Sequence, residues 1–380
     1  MFERRQLLSG AENESLFLWG ARQTGKSTLL KSLFPEAQWF DLLLADTYER
    51  LLRNPTYLRE TVLALAEQKT VVIDEIQRIP ELLHEIHWLM VNNRNRFILS
   101  GSSPRRILRS GTNLLGGRAL RYELYPLVSA EIPEFDLMRA LHHGMIPRHY
   151  LAKNPERLLS AYVGNYLTDE ISTEARIRNL QVFAKFLAAA AFSNGEIVNY
   201  SNIATDCGIS APTVKEYFQI LEHTLIGRFV QVFQKNPKRR VIQAPKFYLF
   251  DVGIANYILK RKNIAYPSDA FGRSFEHFIY QEIYAHSQYS GLEYPVTYWR
   301  TASQLEIDFV LGDHEIALEI KGSDDISGRH LKGLRTFNEE YTTKQSIVVC
   351  MESAERLVDG IRIMPWRIFL NRLWNGELMQ

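Results

Sequence analysis

The segment from Leu16 to Leu30 limits what this chain can fold into more than any other. Leu16 to Trp19 is an apolar run of the kind that makes a buried strand, and Gly20-x-x-x-x-Gly25-Lys26-Ser27 follows at once. A helical pattern begins at Ser27 and carries Leu29, Leu30 and Leu33. Strand, glycine-rich loop and helix in that order are the context of a phosphate-binding P-loop. The chemistry rests on backbone N–H groups that converge at a helix N-terminus, where the dipole already favours an anion. Gly20 and Gly25 are expected to supply backbone angles that a side chain would forbid. Lys26 is placed to reach the outer phosphates and Ser27 to help hold Mg²⁺. The expected contacts to ATP are Gly20, Gln23, Thr24, Gly25, Lys26, Ser27 and Thr28.

A chain of 380 residues has room for several domains. Its start, Met1-Phe-Glu-Arg-Arg, leads into no apolar core of a secretory leader, and no apolar run approaches the ~20 residues that span a bilayer. Cys207 and Cys350 are the only cysteines and have neither disulfide-framework nor zinc spacing, which fits a cytoplasmic protein with reduced thiols. The net charge of +2 says little, but its distribution says more. From Thr224 to Lys262, nine basic residues stand against Asp251 alone.

After the P-loop helix, Gln38 to Leu42 reads as a strand and Thr47 to Glu67 as a long helix. Thr70-Val-Val-Ile-Asp-Glu-Ile76 is a continuous apolar run ending in two acids, as expected of a buried parallel strand with ligands at its carboxyl end. Asp74 is expected to bind Mg²⁺ and Glu75 to polarise the attacking water. A further strand, Arg96 to Ser100, leads into Gly101-Ser-Ser-Pro104. There Ser100, Ser102 or Ser103 could place a hydroxyl near the outer phosphate, and Ser103 is the residue chosen. Arg118, just before a last strand from Ala119 to Leu124, is either a finger into a neighbouring subunit's site or a structural ion-pair residue.

These features together resemble the large prokaryotic family of AAA+-type ATPases with a C-terminal domain of unknown function. The matching segments are GARQTGKS, VVIDEIQRIP, ILSGSSP, GGRALRYELYPLVSAEI, HHGMIPRHY and YVGNYLTDEI. The resemblance runs nearly end to end and implies ATP hydrolysis and assembly into a homo-oligomer such as a hexamer.

Residues 155–192 show helical spacing of apolar and aromatic side chains, a lid-like region whose rings are core. Then Ser201 is expected to cap a short helix, Gly208 to turn the chain, and Ser210 to cap a second helix with Pro212 in its first turn. That is a helix-turn-helix. Strands Leu225–Phe233 and Lys246–Phe250 would flank a wing tipped by Asn236-Pro-Lys-Arg-Arg240, where Lys238, Arg239 and Arg240 suit DNA phosphates. Winged helices also dock proteins, so that role stands beside DNA binding.

In the last part, Leu305 to Gly322 alternates with period two on either side of Gly312-Asp313, the pattern of a hairpin. Ile307, Phe309, Leu311, Ile316, Leu318 and Ile320 would form the core face, and Glu306, Asp308, Glu319 and Lys321 the other. With a two-residue turn, Asp308 pairs with Ala317 and lies diagonal to Glu319, Cβ atoms about 7–8 Å apart at most. Asp-x(10)-Glu-x-Lys after a helix bearing Glu276 resembles the PD-(D/E)xK nuclease core, although Ile307 stands where that motif has its proline. The resemblance implies Asp308, Glu319 and Glu276 as metal ligands and Lys321 as the catalytic lysine. A solvated hairpin face with alternating charges, or a decayed nuclease, would look the same.

The expected fold is α/β: a P-loop AAA+-like parallel-sheet domain over 1–150, a helical lid with a winged helix over 151–262, and a restriction-endonuclease-like α/β domain over 263–380. The expected function is an ATP-hydrolysing, DNA-binding protein with a metal-dependent nuclease-like domain acting on branched, single- or double-stranded DNA. The alternative is an ATP-dependent regulatory or scaffold protein.

Overall fold

A computed structural model describes residues 2–65, 69–93, 95–109, 115–170, 177, 179–235 and 243–379. The chain divides into two compact units. One comprises Gln6–Pro126 with Ile220–Ile226; the other comprises Met1–Arg5, Leu127–Gln219 and Gly227–Gln380.

The first unit runs β1 (Ser15–Trp19), α1 (Lys26–Leu33), β2 (Gln38–Asp41), α2 (Ala45–Arg53), α3 (Thr56–Leu63), β3 (Thr70–Asp74), α4 (Leu82–Asn92), β4 (Arg96–Gly101), α5 (Arg105–Arg109) and β5 (Ala119–Glu123). Its sheet has the order β2-β3-β4-β1-β5 and is parallel throughout. Strands β1 and β3 are buried along their whole length, which is why they read as unbroken apolar runs. The long helix expected over 47–67 is two helices. Asn54 leaves helical angles at φ −138°, ψ 84°, because the ring of Pro55 disfavours a helical residue before it. The strand expected to run to Ile76 stops at Asp74, since Glu75 adopts φ 60°, ψ 42° and starts a short 3₁₀ turn.

The second unit begins with α6 (Leu137–His143), α7 (Pro147–Leu151), α8 (Glu156–Ala161) and a π-helical stretch, Tyr162–Glu170. After these come α9 (Leu180–Phe192), α10 (Tyr200–Cys207), α11 (Ala211–His223), β6 (Gly227–Val230), β7 (Lys246–Leu249) and α12 (Val252–Ile258). Asn199, not Ser201, caps α10: its side chain accepts from the N–H groups of Ser201 and Asn202, both at 3.1 Å. Gly208 ends that helix at φ 68°, and the Ser210 hydroxyl caps α11 through Thr213 N–H at 3.3 Å. Strands β6 and β7 form an antiparallel ladder. Phe218 packs edge-on against Phe186 and Phe247, which joins the helices to that ladder.

The chain then forms α13 (Asp269–Tyr289), β8 (Val296–Arg300), β9 (Glu306–Leu311), β10 (Ile316–Ile320), α14 (Lys332–Asn338), β11 (Gln345–Cys350), β12 (Arg356–Val358), β13 (Ile361–Pro365) and α15 (Trp366–Trp374). The six-stranded sheet has the order β12-β13-β11-β10-β9-β8, with β8, β9 and β10 antiparallel and β11 parallel to β10. Aromatic residues of α13 and α15 cover one face with Phe309, Leu311 and Leu318; Leu334 and Phe337 of α14 cover the other with Val310 and Ala317.

Two details differ from strict alternation. The turn spans residues 312–315, so Val310, not Asp308, faces Ala317. The β8–β9 register also slips between Thr297↔Val310 and Trp299↔Ile307, which sets Tyr298 against both Asp308 and Phe309. Such a bulge reverses the side-chain sense. Ile307 therefore packs with Val310 on the α14 face while Phe309 and Leu311 pack on the α13 face. Among the described residues no helix is long and apolar enough to cross a membrane.

The α14 contact makes a stability test. A Cβ at Gly333 would stand 2.2 Å from the Glu306 carbonyl oxygen, whereas one at Gly272 in α13 meets open space. Gly333→Ala should lower stability by about 1–3 kcal/mol. Gly272→Ala should raise it by up to about 1 kcal/mol. Denaturant midpoints read both.

Candidate functional site

The P-loop joins β1 to α1 as the sequence indicates. Gly25 has φ 99°, an angle that favours glycine. Gly20 is needed for space instead, because a Cβ there would lie 2.4 Å from the Leu124 carbonyl oxygen at the end of β5. Lys26 is buried and folded onto its own loop, Nζ donating to Gly20 O at 2.8 Å and Ala21 O at 3.2 Å. Burial pulls its ammonium below the usual value, while Glu75 and Asp74 act in the other direction. Thr24 is buried and donates to Ala21 O at 2.9 Å; Gln23, at φ 65°, and Thr28 are exposed.

Strand register brings the first acid to this loop. Asp74 and Ser100 are partners across β3 and β4, and β4 lies beside β1. The Asp74 carboxylate accepts from Ser27 Oγ at 2.5 Å, from Ser100 Oγ, and from Glu75 N–H at 3.1 Å. Glu75 is buried and accepts from the Gln77 amide, which also donates to Ser102 Oγ at 3.0 Å. Ser103 points elsewhere: its hydroxyl donates to His223 O at 3.1 Å and accepts from Arg105 N–H at 3.1 Å. The hydroxyl beside the acid is thus Ser100, because alternation along β4 sets a Cβ direction that register alone matches to Asp74. Gln77 had no role in the sequence reading. Its signal was the glycine at 101, where a Cβ would meet the Gln77 amide oxygen at 2.2 Å. Arg118 is exposed at the head of the edge strand β5.

In the second unit, Asp308 and Glu319 are 7% and 9% exposed, not on a solvated face. Asp308 Oδ2 accepts from the Ile320 N–H at 2.7 Å. Lys321 Nζ lies 2.6 Å from Glu319 Oε1 and 3.9 Å from Asp308 Oδ2. Glu319 Oε2 is buried with no hydrogen-bond partner among the described residues. Glu276, on α13, accepts from the Tyr248 hydroxyl at 2.6 Å.

Sequence reading missed one member of this cluster. Lys246, counted there among the basic run, is only 2% exposed; Nζ lies 2.5 Å from Glu306 Oε1 and 3.8 Å from Glu276 Oε1. Glu306 also pairs with Arg300 at 2.8 Å. Burial and then the Asp308 charge push Glu276 up to about 7 and Glu319 up to about 8. Burial opposes the charge on both lysines, yet the surrounding acids raise Lys246 and Lys321 above their usual value. Only an anionic surrounding does that to a buried amine.

Lys238, Arg239 and Arg240 lie outside the described residues. The outward face of α11 holds Lys215 and Gln219 with Glu216, and Lys215 rests over the Tyr200 ring at 5.3 Å. That face is not a cationic reading surface.

Three family models match the chain in succession: an AAA domain over residues 12–133, a domain of unknown function (DUF8612) over 134–264 and another (DUF4143) over 271–369. No curated protein matches. Among solved structures, the Aeropyrum pernix ORC1 protein in complex with DNA is 14% identical, over 67% of this chain and 90% of its own, with a TM-score of 0.27. Drosophila ORC bound to AT-rich DNA and Cdc6 is 10% identical, over 67% of this chain and 88% of its own, with a TM-score of 0.22. Scores that low carry no inference about this chain. The AAA-domain match over residues 12–133 takes in the P-loop described above, and the parallel five-stranded sheet fits such a domain.

Proposed function

We propose that this chain binds and hydrolyses ATP, engages DNA, and carries a metal-dependent nuclease-like domain. The ATPase half rests on one observation, the contiguous line Ser27–Asp74–Ser100 beneath the P-loop with Glu75 buried beside it. Ser27 and Asp74 would hold Mg²⁺, which when bound neutralises phosphate charge. Lys26 exchanges loop carbonyls for phosphate oxygens. Glu75, steadied by Gln77, holds the attacking water and takes its proton. Arg118 is free to reach a second copy, as a ring such as a hexamer would need.

Lys26→Ala should abolish ATP binding. Glu75→Gln should keep binding and lower turnover by about 10²–10⁴-fold. Binding by fluorescent nucleotide and turnover by phosphate release separate the two. A wild-type chain that holds ATP but releases no phosphate would reduce the domain to a nucleotide switch.

The nuclease-like half is supported by the buried Glu319 Oε2, unpartnered among the described residues, in a segment ordered as a helix, three antiparallel strands, a helix and a parallel strand. Glu319, Asp308 and Glu276 fit a divalent cation by donor type. When bound, such a cation polarises a phosphodiester, and Lys321 orients water. One observation favours the regulatory reading instead. Among the described residues no three acidic, His or Cys side chains are drawn together as a metal group, and Lys246 and Lys321 neutralise the acids. Asp308→Ala and Lys321→Ala should abolish Mn²⁺-dependent cleavage of branched, single- or double-stranded DNA while sparing ATP turnover; unchanged cleavage removes the nuclease half.

Two further outcomes follow from the charges. Glu276 and Glu319 hold protons more tightly folded than unfolded, so they cost stability as pH rises from about 4.5 to 8. The Tm should fall across that window, and Mn²⁺ should raise it more at pH 8 than at pH 5. Lys246→Met removes the buried counter-charge from Glu276 and leaves Glu306 with Arg300, and should cost about 3–5 kcal/mol, read by denaturation at neutral pH.

A further inference from the structure

A cleft of about 1100 Å³ opens within the second unit, lined entirely by the helical region and the segment after α12. Its lining includes Lys153 and Arg157, at the start of α8, and Lys260, Arg261 and Lys262, just past the end of α12. Glu156 is the only carboxylate in its lining among the described residues. Lys153, Arg157, Lys260 and Lys262 are exposed and form no ion pair among the described residues. Arg261 is half-buried and aimed by a 3.3 Å hydrogen bond to Asn256 Oδ1. Asp251, the sole acid of the basic run, cannot offset them. It is fully buried, accepting from the N–H groups of Ile254 at 3.0 Å and Met145 at 2.7 Å. The lining also includes Tyr257, Leu159, Val163 and Ile258, beside the polar His142, His143, Asn154 and Asn256.

We infer that this cleft holds a single strand of nucleic acid, with phosphates on the two cationic segments and bases against Tyr257. Five cations drawn from two chain segments along one cleft suit a linear polyanion, which presents a phosphate at every residue. The volume exceeds the ~300–1,000 Å³ usual for small-molecule sites. A duplex offers no free base faces to Tyr257, but an unpaired strand does. The inference adds a site to the DNA-binding reading, which had placed contacts only at the wing.

The test is fluorescence anisotropy of a labelled thymidine oligonucleotide of about 16 nucleotides, titrated at several salt concentrations. Lys153→Gln, Arg157→Gln, Lys260→Gln and Lys262→Gln, all at exposed positions, should each flatten the log–log salt slope by about 0.7. Tyr257→Leu should weaken binding at least about fivefold and leave the slope unchanged. The inference is overturned if the quadruple variant binds with wild-type affinity and slope. If neutralising Lys238, Arg239 and Arg240 then abolishes binding, the wing reading survives alone. Absence of any binding by the wild-type chain sinks both. Displacement by inorganic tripolyphosphate at equal phosphate concentration, with no loss in Tyr257→Leu, would make the cleft a site for free phosphate and also overturn the strand.

Discussion

The Asp74 carboxylate accepts three hydrogen bonds, and the first unit is arranged so that all three donors can arrive. Ser27 comes from the first turn of α1, Ser100 from the neighbouring strand, and the third donor is the backbone of Glu75. A buried carboxylate left with fewer partners would be costly. The β2-β3-β4-β1-β5 order places β4 between the acid's strand and the P-loop's strand, so one serine can span the gap. Glu75 then has to leave the strand in a left-handed conformation, uncommon for a residue with a side chain. Backbone strain of this kind collects at functional sites, where the surrounding contacts hold it in place.

The second unit meets the same requirement with cations. Four acids, Glu276, Glu306, Asp308 and Glu319, lie in or beside a sheet covered on both faces. Lys246 and Lys321 sit among them, and Arg300 closes the outer edge. The bulge at Asp308 and Phe309 makes this possible. By reversing the side-chain sense within β9, it lets one carboxylate turn to the Ile320 N–H while its neighbours still fill both cores. Lys246 reaches this cluster from β7, so the ladder after α11 contributes directly to the acidic centre.

Much of this was legible from spacing. The P-loop, the acid-bearing strand, the Gly208 turn and the Asp308–Glu319–Lys321 hairpin are each contiguous, and short-range periodicity identifies them. Errors fell where the governing contact was non-local. The helix expected over 47–67 broke at a proline visible in the sequence, but the choice of Ser100 over Ser103 needed the β3–β4 register. Counting Lys246 with the basic run before Lys262 missed its burial, because exposure depends on what packs above a strand.

The sequence by itself determined the local chemistry: which residues can cradle phosphate, which acids end a buried strand, and where the chain turns. These follow from side-chain type and from periods of two and 3.6 residues. Only the tertiary structure decided which charges meet. Lys246 and Glu306 are sixty residues apart in sequence and 2.5 Å apart in space. Lys153 and Lys262 are far apart in the chain yet line one cleft. Electrostatic interaction depends on distance and on exclusion of water, and the order of residues along the chain encodes neither.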